Sequence, residues 1–212
     1  KKHTSASLLG LYGQNGSGKT VLINAIDILK QLLMGQRLPE YLVDYININS
    51  DIAELSFEFS IQSGSNHIHV FYDVELGKAK ATSDNNTDDL DSINAVLIVK
   101  KEVLQYKVKN SINSIRKNII ANTDTTQVFV PTSKFEILFG KDYEDMTDFL
   151  VDKRLCQAES RSFLFSARFM KRLNSQREFL ESTPEYDRIT EIINILVQYG
   201  NHDLFVVLTA HS

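Results

Sequence analysis

Cysteine is almost absent: Cys156 stands alone in 212 residues, which removes any internal disulfide. Such sparing use fits a reducing, cytoplasmic setting. No apolar run approaches the ~18 consecutive residues that a membrane-crossing helix needs, and no secretory leader is visible. A surplus of positive charge is missing too. The 23 Lys and Arg are outnumbered by 27 Asp and Glu, for a net charge of −4 and a pI of about 5.8. A surface that is basic throughout is excluded, while a local basic patch is not. There is no internal repeat and no low-complexity tract. The remaining composition, 42% hydrophobic and 24% charged, is that of a globular protein with one substantial core or two small lobes.

Against this plain background one string stands out. Residues Gly13 to Thr20 read GQNGSGKT and match the phosphate-binding loop pattern G-x-x-x-x-G-K-[ST] in full. The run Ser7 to Tyr12 before it suits a buried strand, and Val21 to Met34 after it reads as a helix. A strand turning through such a loop into a helix N-terminus gathers backbone N–H groups around one point, where the helix dipole also favours negative charge. The expected nucleotide contacts are Gly13, Asn15, Gly16, Ser17, Gly18, Lys19 and Thr20. Lys19 reaches the β- and γ-phosphates of ATP, and the Thr20 hydroxyl ligates Mg²⁺. Gly16 lets the backbone approach phosphate, and Ser17 tolerates the turn.

Beyond the loop, periodicity divides the chain into a lobe at 1–140 and a helical section at 141–212. In the first helix Leu22, Ala25, Ile26, Leu29, Leu32 and Leu33 form a broad apolar face, and Gly35 supplies the stop. Leu38 to Tyr45 is a connector in which Pro39 can begin a short helix. Alternation then predicts strands over Ala53 to Ile61 and Asn66 to Leu76, joined by the turn Gln62 to Ser65. In the first, Leu55, Phe57, Phe59 and Ile61 point inward; in the second, Ile68, Val70, Tyr72, Val74 and Leu76. Asp84 to Asp91 reads as an exposed loop. Ala95 to Lys109 is a further strand with Leu104, Tyr106 and Val108 on one face, and Gln127 to Pro131 and Phe135 to Phe139 are shorter strands. Helices are expected over Asp148 to Ala158, Ala167 to Leu180 and Pro184 to Tyr199. Thr183 precedes the last, Gly200 stops it, and a strand follows over Asp203 to Thr209.

Weaker constellations are read against their plain alternatives. His67 and His69 have a spacing that can hold a metal, but no third ligand is apparent, so a solvated strand face is the preferred reading. Lys100, Lys101, Lys107, Lys109, Arg116 and Lys117 form one basic stretch, and Arg161, Arg168, Lys171, Arg172 and Arg177 another. Either could touch a DNA backbone, though solvated surface is the simpler account. Cys156 has no base beside it and reads as filler. The tail Thr209-Ala210-His211-Ser212 resembles the switch-histidine segment of ATP-binding-cassette ATPases, which implies γ-phosphate sensing by His211, yet no apolar strand ending in Asp-Glu precedes it. Asp73 and Asp152 are the nearest substitutes, and neither is followed by glutamate.

The stretch Leu8 to Leu33, LLGLYGQNGSGKTVLINAIDILKQLL, resembles the start of bacterial AAA-family ATPases of the ATP-binding-cassette (ABC) and SMC-like branch, which includes RecF-like and overcoming-lysogenisation (OLD) type ATPases. Ala53 to Ile61 and Ser162-Phe163-Leu164-Phe165-Ser166 also look like segments of that branch. The resemblance implies an α/β P-loop NTPase head lobe of ABC type, with an antiparallel β subregion followed by a helical section. It implies ATP with Mg²⁺ as ligands and self-association of two heads on ATP binding. It also implies a setting in DNA repair or phage defence with a nuclease or other effector as partner, and no membrane. In such ATPases a signature motif and an Asp-Glu strand follow; neither occurs here, so the chain reads as the N-terminal part of a longer ATPase. Two rival readings are a non-hydrolysing nucleotide-regulated scaffold for an effector, and a small nucleoside kinase. The hairpin-rich section speaks against the kinase, because such enzymes usually alternate strands and helices.

Overall fold

In the computed structural model the described residues are 19–46, 50–63, 66–80, 95–108, 118–123, 128–129, 147–175 and 183–204. They form a mixed α and β structure built on one antiparallel sheet. The first element, α1, spans Lys19–Leu33 without an internal Gly or Pro to break it. It ends where expected. Gly35 adopts φ +61°, its N–H donates to Leu32 O at 2.9 Å, and the Gln36 N–H donates to Gln31 O at 3.0 Å. This is the paired closure that a left-handed residue after a helix permits. A short 3-10 helix over Glu40–Tyr45 follows Pro39.

The sheet runs β1 (Ile52–Ser63), β2 (Asn66–Lys80), β3 (Ala95–Val108), β4 (Asn118–Thr123) and β5 (Val128–Phe129), each paired antiparallel with the next in chain order. Gln62 and Ser63, expected in a turn, pair with His67 and Asn66, so the strands run further than alternation alone suggested. Positions 64 and 65 lie outside the described residues. On β2, Ile68, Val70, Tyr72, Val74 and Leu76 are all buried, as their alternation demands. Each such side chain contributes about 1.5–3 kcal/mol. On β1 only Ile61 is buried; Leu55, Phe57 and Phe59 are half-covered, because β1 ends the described sheet and has one strand neighbour instead of two. β4 escaped the sequence reading altogether.

A bulge in β3 decides which side chains enter the core. Glu75 faces Lys101 and Leu76 faces Val99, so Lys100 is the extra residue. Before it the inward positions are Leu97 and Val99; after it they are Glu102, Leu104, Tyr106 and Val108.

Helices α2 (Thr147–Ala158), α3 (Ala167–Ser175) and α4 (Pro184–Gln198) cover the apolar face together with α1. The Thr183 side chain accepts from the Tyr186 N–H at 3.1 Å and Pro184 opens α4, the arrangement its sequence implied. Gly200 does not stop the helical path. It lies inside a π turn, Tyr199–Asp203, that continues from α4 and takes up the expected start of a strand at Asp203. A Cβ at Gly200 would sit 2.7 Å from the Leu33 Cβ, so this glycine serves close approach to α1. Of the expected helix Ala167 to Leu180, α3 ends at Ser175 and positions 176–182 lie outside the described residues.

Candidate functional site

Loop residues 13–18 lie outside the described residues, as do the expected strands 7–12 and 205–209, the loop 84–91, the segment 135–139 and His211. What is described is the helix into which the loop leads. Lys19 and Thr20 open α1, Thr20 is exposed, and the first turn carries no acidic side chain. The first N–H groups of that end therefore have no carboxylate of their own turn competing for them, and the dipole favours an anion there. The apolar face of α1 differs from expectation. Ile28, Leu29, Leu32 and Leu33 are buried, Ala25 and Ile26 only half-buried, and Leu22 stands 45% exposed beside Val21 at 72%. The helix is thus embedded by its C-terminal half. One turn after Thr20, the Asn24 Nδ2 is buried and has no partner among the described residues.

The embedded end of α1 meets a junction built around Ser162 to Ser166, a segment noted in the sequence only for its resemblance and without a structural role. Helix α2 closes with Ser160 at φ 53°; the Ser160 N–H donates to Gln157 O at 3.0 Å and the Arg161 N–H to Cys156 O at 2.8 Å. That is the same left-handed closure as at Gly35, made by a residue for which the conformation costs more. The two helix ends are tied directly. Leu38 N–H donates to Ser160 O at 2.9 Å, and Arg161 Nη1 donates to Gly35 O at 3.0 Å. A Cβ on Gly35 would run into the Phe165 carbonyl.

From there Ser162 to Ser166 forms a buried turn fastened to β3 by Glu102. The Tyr72 and Ser162 hydroxyls both donate to Glu102 Oε1, while the N–H groups of Phe163 and Leu164 donate to Oε2 at 2.8 and 3.4 Å. Glu102 is 1% exposed. Burial pushes its carboxyl above the usual carboxylate range, and the bonds from Ser162, Tyr72, Phe163 and Leu164 oppose that rise without cancelling it. Burial, reinforced by Glu102 itself, holds the Tyr72 hydroxyl well above its ordinary value, so it remains a donor. The Ser162 Oγ accepts from the Phe165 N–H at 3.1 Å, and the Ser166 Oγ accepts from the Phe169 N–H at 3.2 Å, capping α3. Tyr72 meets Phe165 edge-on with centroids 5.2 Å apart. One signal could have found Glu102: it shares the even positions of Leu104, Tyr106 and Val108, the inward face of β3.

The other candidates are dispersed. Arg172 places Nε and Nη2 each 2.7 Å from Asp152 Oδ2, approaches Asp148 at 3.6 Å, and lies over the Phe149 ring at 5.2 Å. Arg168 reaches Asp152 and Glu159, and Arg161 Nε lies 3.1 Å from Glu159, too poorly aligned for a hydrogen bond. Arg161 lies before α3, off the helix that carries Arg168 and Arg172. Three arginines of the second basic stretch are thus neutralised by α2 and its C-terminal turn, which disfavours phosphate contact by them. In the first stretch, Lys101 faces Glu75 across the strands. His67 and His69 lie on the outer sheet face, His69 3.4 Å from Glu58, and no group suited to a metal occurs among the described residues. Asp73 lies on that same outer face. Cys156 is buried in α2 with its thiol pushed up by burial, the opposite of an activated nucleophile. No helix among the described residues is long and apolar enough to cross a membrane.

No family model, curated protein or solved structure matches the chain.

Proposed function

We infer that the chain binds a nucleoside triphosphate with Mg²⁺ through Gly13 to Thr20, as the P-loop lobe of an ABC/SMC-like ATPase head. The observation that carries this reading is the complete GQNGSGKT pattern running into α1 at Lys19. Lys19 supplies the one side-chain charge directed at the β- and γ-phosphates, Thr20 the hydroxyl for Mg²⁺, and the helix start the N–H groups. In the wider reading two heads associate on ATP, and hydrolysis releases them in the service of DNA repair or phage defence.

The pairing of Asp152 favours a narrower second reading, nucleotide binding without turnover. In-line attack on the γ-phosphate needs a group to position water. Asp152 is held by Arg172 and Arg168, and Asp73 stands on the sheet face opposite to the core that embeds α1. Neither is followed by a glutamate.

Titration with a fluorescent ATP analogue tests the site. Lys19→Ala should abolish binding, and Thr20→Ala should weaken Mg²⁺-dependent binding more than binding in chelator. Unchanged affinity in Lys19→Ala would defeat the assignment. Phosphate release by the 212-residue chain, with Lys19→Ala as blank, should stay at background under either reading; robust Lys19-dependent turnover would place the water-positioning carboxylate within residues 1–212 and sink the non-hydrolysing reading.

A further inference from the structure

A helix held at one end, with its chemistry expected at the other, transmits whatever happens at the free end to its mounting. Helix α1 is such a rod: 15 residues, about 22 Å at 1.5 Å per residue, with no Gly or Pro to absorb a bend. Val21 and Leu22 near its start are exposed, whereas Leu32 and Leu33 are fully buried. Its mounting has little slack. Gly35 lies against the Phe165 carbonyl, Gly200 against Leu33, and Arg161 and Leu38 stitch the α1 end to the α2 end.

The turn that receives this load is bonded to Glu102. Phe163 and Leu164 sit in that turn, and both direct their N–H groups at Glu102 Oε2, one closely and one at 3.4 Å. Glu102 belongs to β3, which is paired on both sides, and lies two residues after the Lys100 bulge where the β2–β3 register shifts. Glu102 is therefore a polar link between the mounting of α1 and the middle of the sheet, beside the bond from Gln157 Nε2 to Val99 O at 3.1 Å, and its unequal pair of N–H bonds is a place where a small displacement changes hydrogen bonding.

We propose that the Glu102–Ser162–Phe163–Leu164 junction is a coupling element, which registers occupancy of the phosphate end of α1 and in return sets how tightly that end holds nucleotide. This rests on the nucleotide-binding reading above. Reciprocity is a thermodynamic necessity: if nucleotide shifts the junction between two arrangements, those arrangements differ in nucleotide affinity by the same factor. Glu102 acts here as a positioning residue, since the turn it holds meets α1 at Gly35, at the end of the helix opposite to Lys19 and Thr20.

Amide hydrogen exchange of the full chain, with and without a non-hydrolysable ATP analogue and Mg²⁺, tests the coupling. Exchange at Phe163 and Leu164 should change several-fold more than at the β1–β2 pair Phe59 and Val70, which reports only overall stabilisation by ligand. The difference should vanish in Lys19→Ala. Glu102→Gln should shift the affinity for the analogue about two- to thirty-fold. Ser162→Ala, which keeps the carboxyl and removes one donor, should shift it in the same direction and serves if Glu102→Gln does not fold. If nucleotide binds while Phe163 and Leu164 respond no more than Phe59 and Val70, the coupling fails and the nucleotide site stands. An affinity unchanged in both variants has the same meaning. If the wild-type chain binds no nucleotide, both ideas fall.

Discussion

The two ends of α1 are made of opposite materials. At the C-terminal end, Leu32 and Leu33 are wholly buried, Gly35 closes the helix against the Phe165 carbonyl, and Arg161, Leu38 and Gly200 complete the mounting. At the N-terminal end Thr20, Val21 and Leu22 are exposed, and no acidic side chain occupies the first turn. One end carries the packing that fixes the helix in the fold; at the other the side chains of Thr20, Val21 and Leu22 stand exposed. Stability and the proposed ligand chemistry are thereby separated along a single element. Substitutions at one end should be felt in unfolding and at the other in binding.

Leu33→Ala breaks the fixed end most severely. It removes a fully buried side chain packed against Gly200 and should cost about 3 kcal/mol, read as a fall in the urea midpoint at constant slope. Gly35→Ala comes next, at about 2 kcal/mol, because it adds both a left-handed strain and a Cβ where Phe165 leaves no room. A stability within about 0.5 kcal/mol of wild type in either variant would mean that the mounting is soft. Arg172→Ala should cost about 1–2 kcal/mol by leaving Asp152, 8% exposed, with only the distant Arg168.

Glu102 provides a pH test of the same junction. Its folded carboxyl titrates above the unfolded value because burial outweighs the donors around it. Between the two values the folded state holds more protons than the unfolded one, so this group's contribution is fully present below the ordinary carboxylate range and is lost as pH rises through the raised one. Unfolding free energy compared between wild type and Glu102→Gln across acid to neutral pH should show that decline only in wild type; parallel curves would remove the assignment. The smallest effect belongs to the outward end. Leu22→Ala should change stability by less than about 0.5 kcal/mol, and Lys19→Ala should leave the urea midpoint unmoved. A large loss in Leu22→Ala would show that the outward end is itself packed in solution.

Much of the framework was legible because it rests on local rules. The alternation of β2 from Ile68 to Leu76 named its buried face without error, Gly35 marked the end of α1, and Thr183-Pro184 marked the start of α4. Errors arose where a partner intervened. Leu22 has the periodicity of a core residue, yet the described core reaches only the second half of α1. Gly200 has the signature of a stop, but its lack of a side chain answers to Leu33. The arginines from Arg161 to Arg172 read as a charge run, while α2 and its C-terminal turn supply the carboxylates that absorb it.

The sequence by itself determined the phosphate-loop pattern, the helix that follows it and the antiparallel alternation of the strands, since turn chemistry, helix propensity and period-two patterning act over a few neighbours. Only the tertiary structure decided that a charged residue, Glu102, would lie at the centre of the core. A one-residue bulge at Lys100 sets its direction, and its partners Tyr72, Ser162, Phe163 and Leu164 lie up to 62 residues away along the chain. A buried carboxyl is tolerated only where such donors converge, and convergence over that separation is a property of the folded chain.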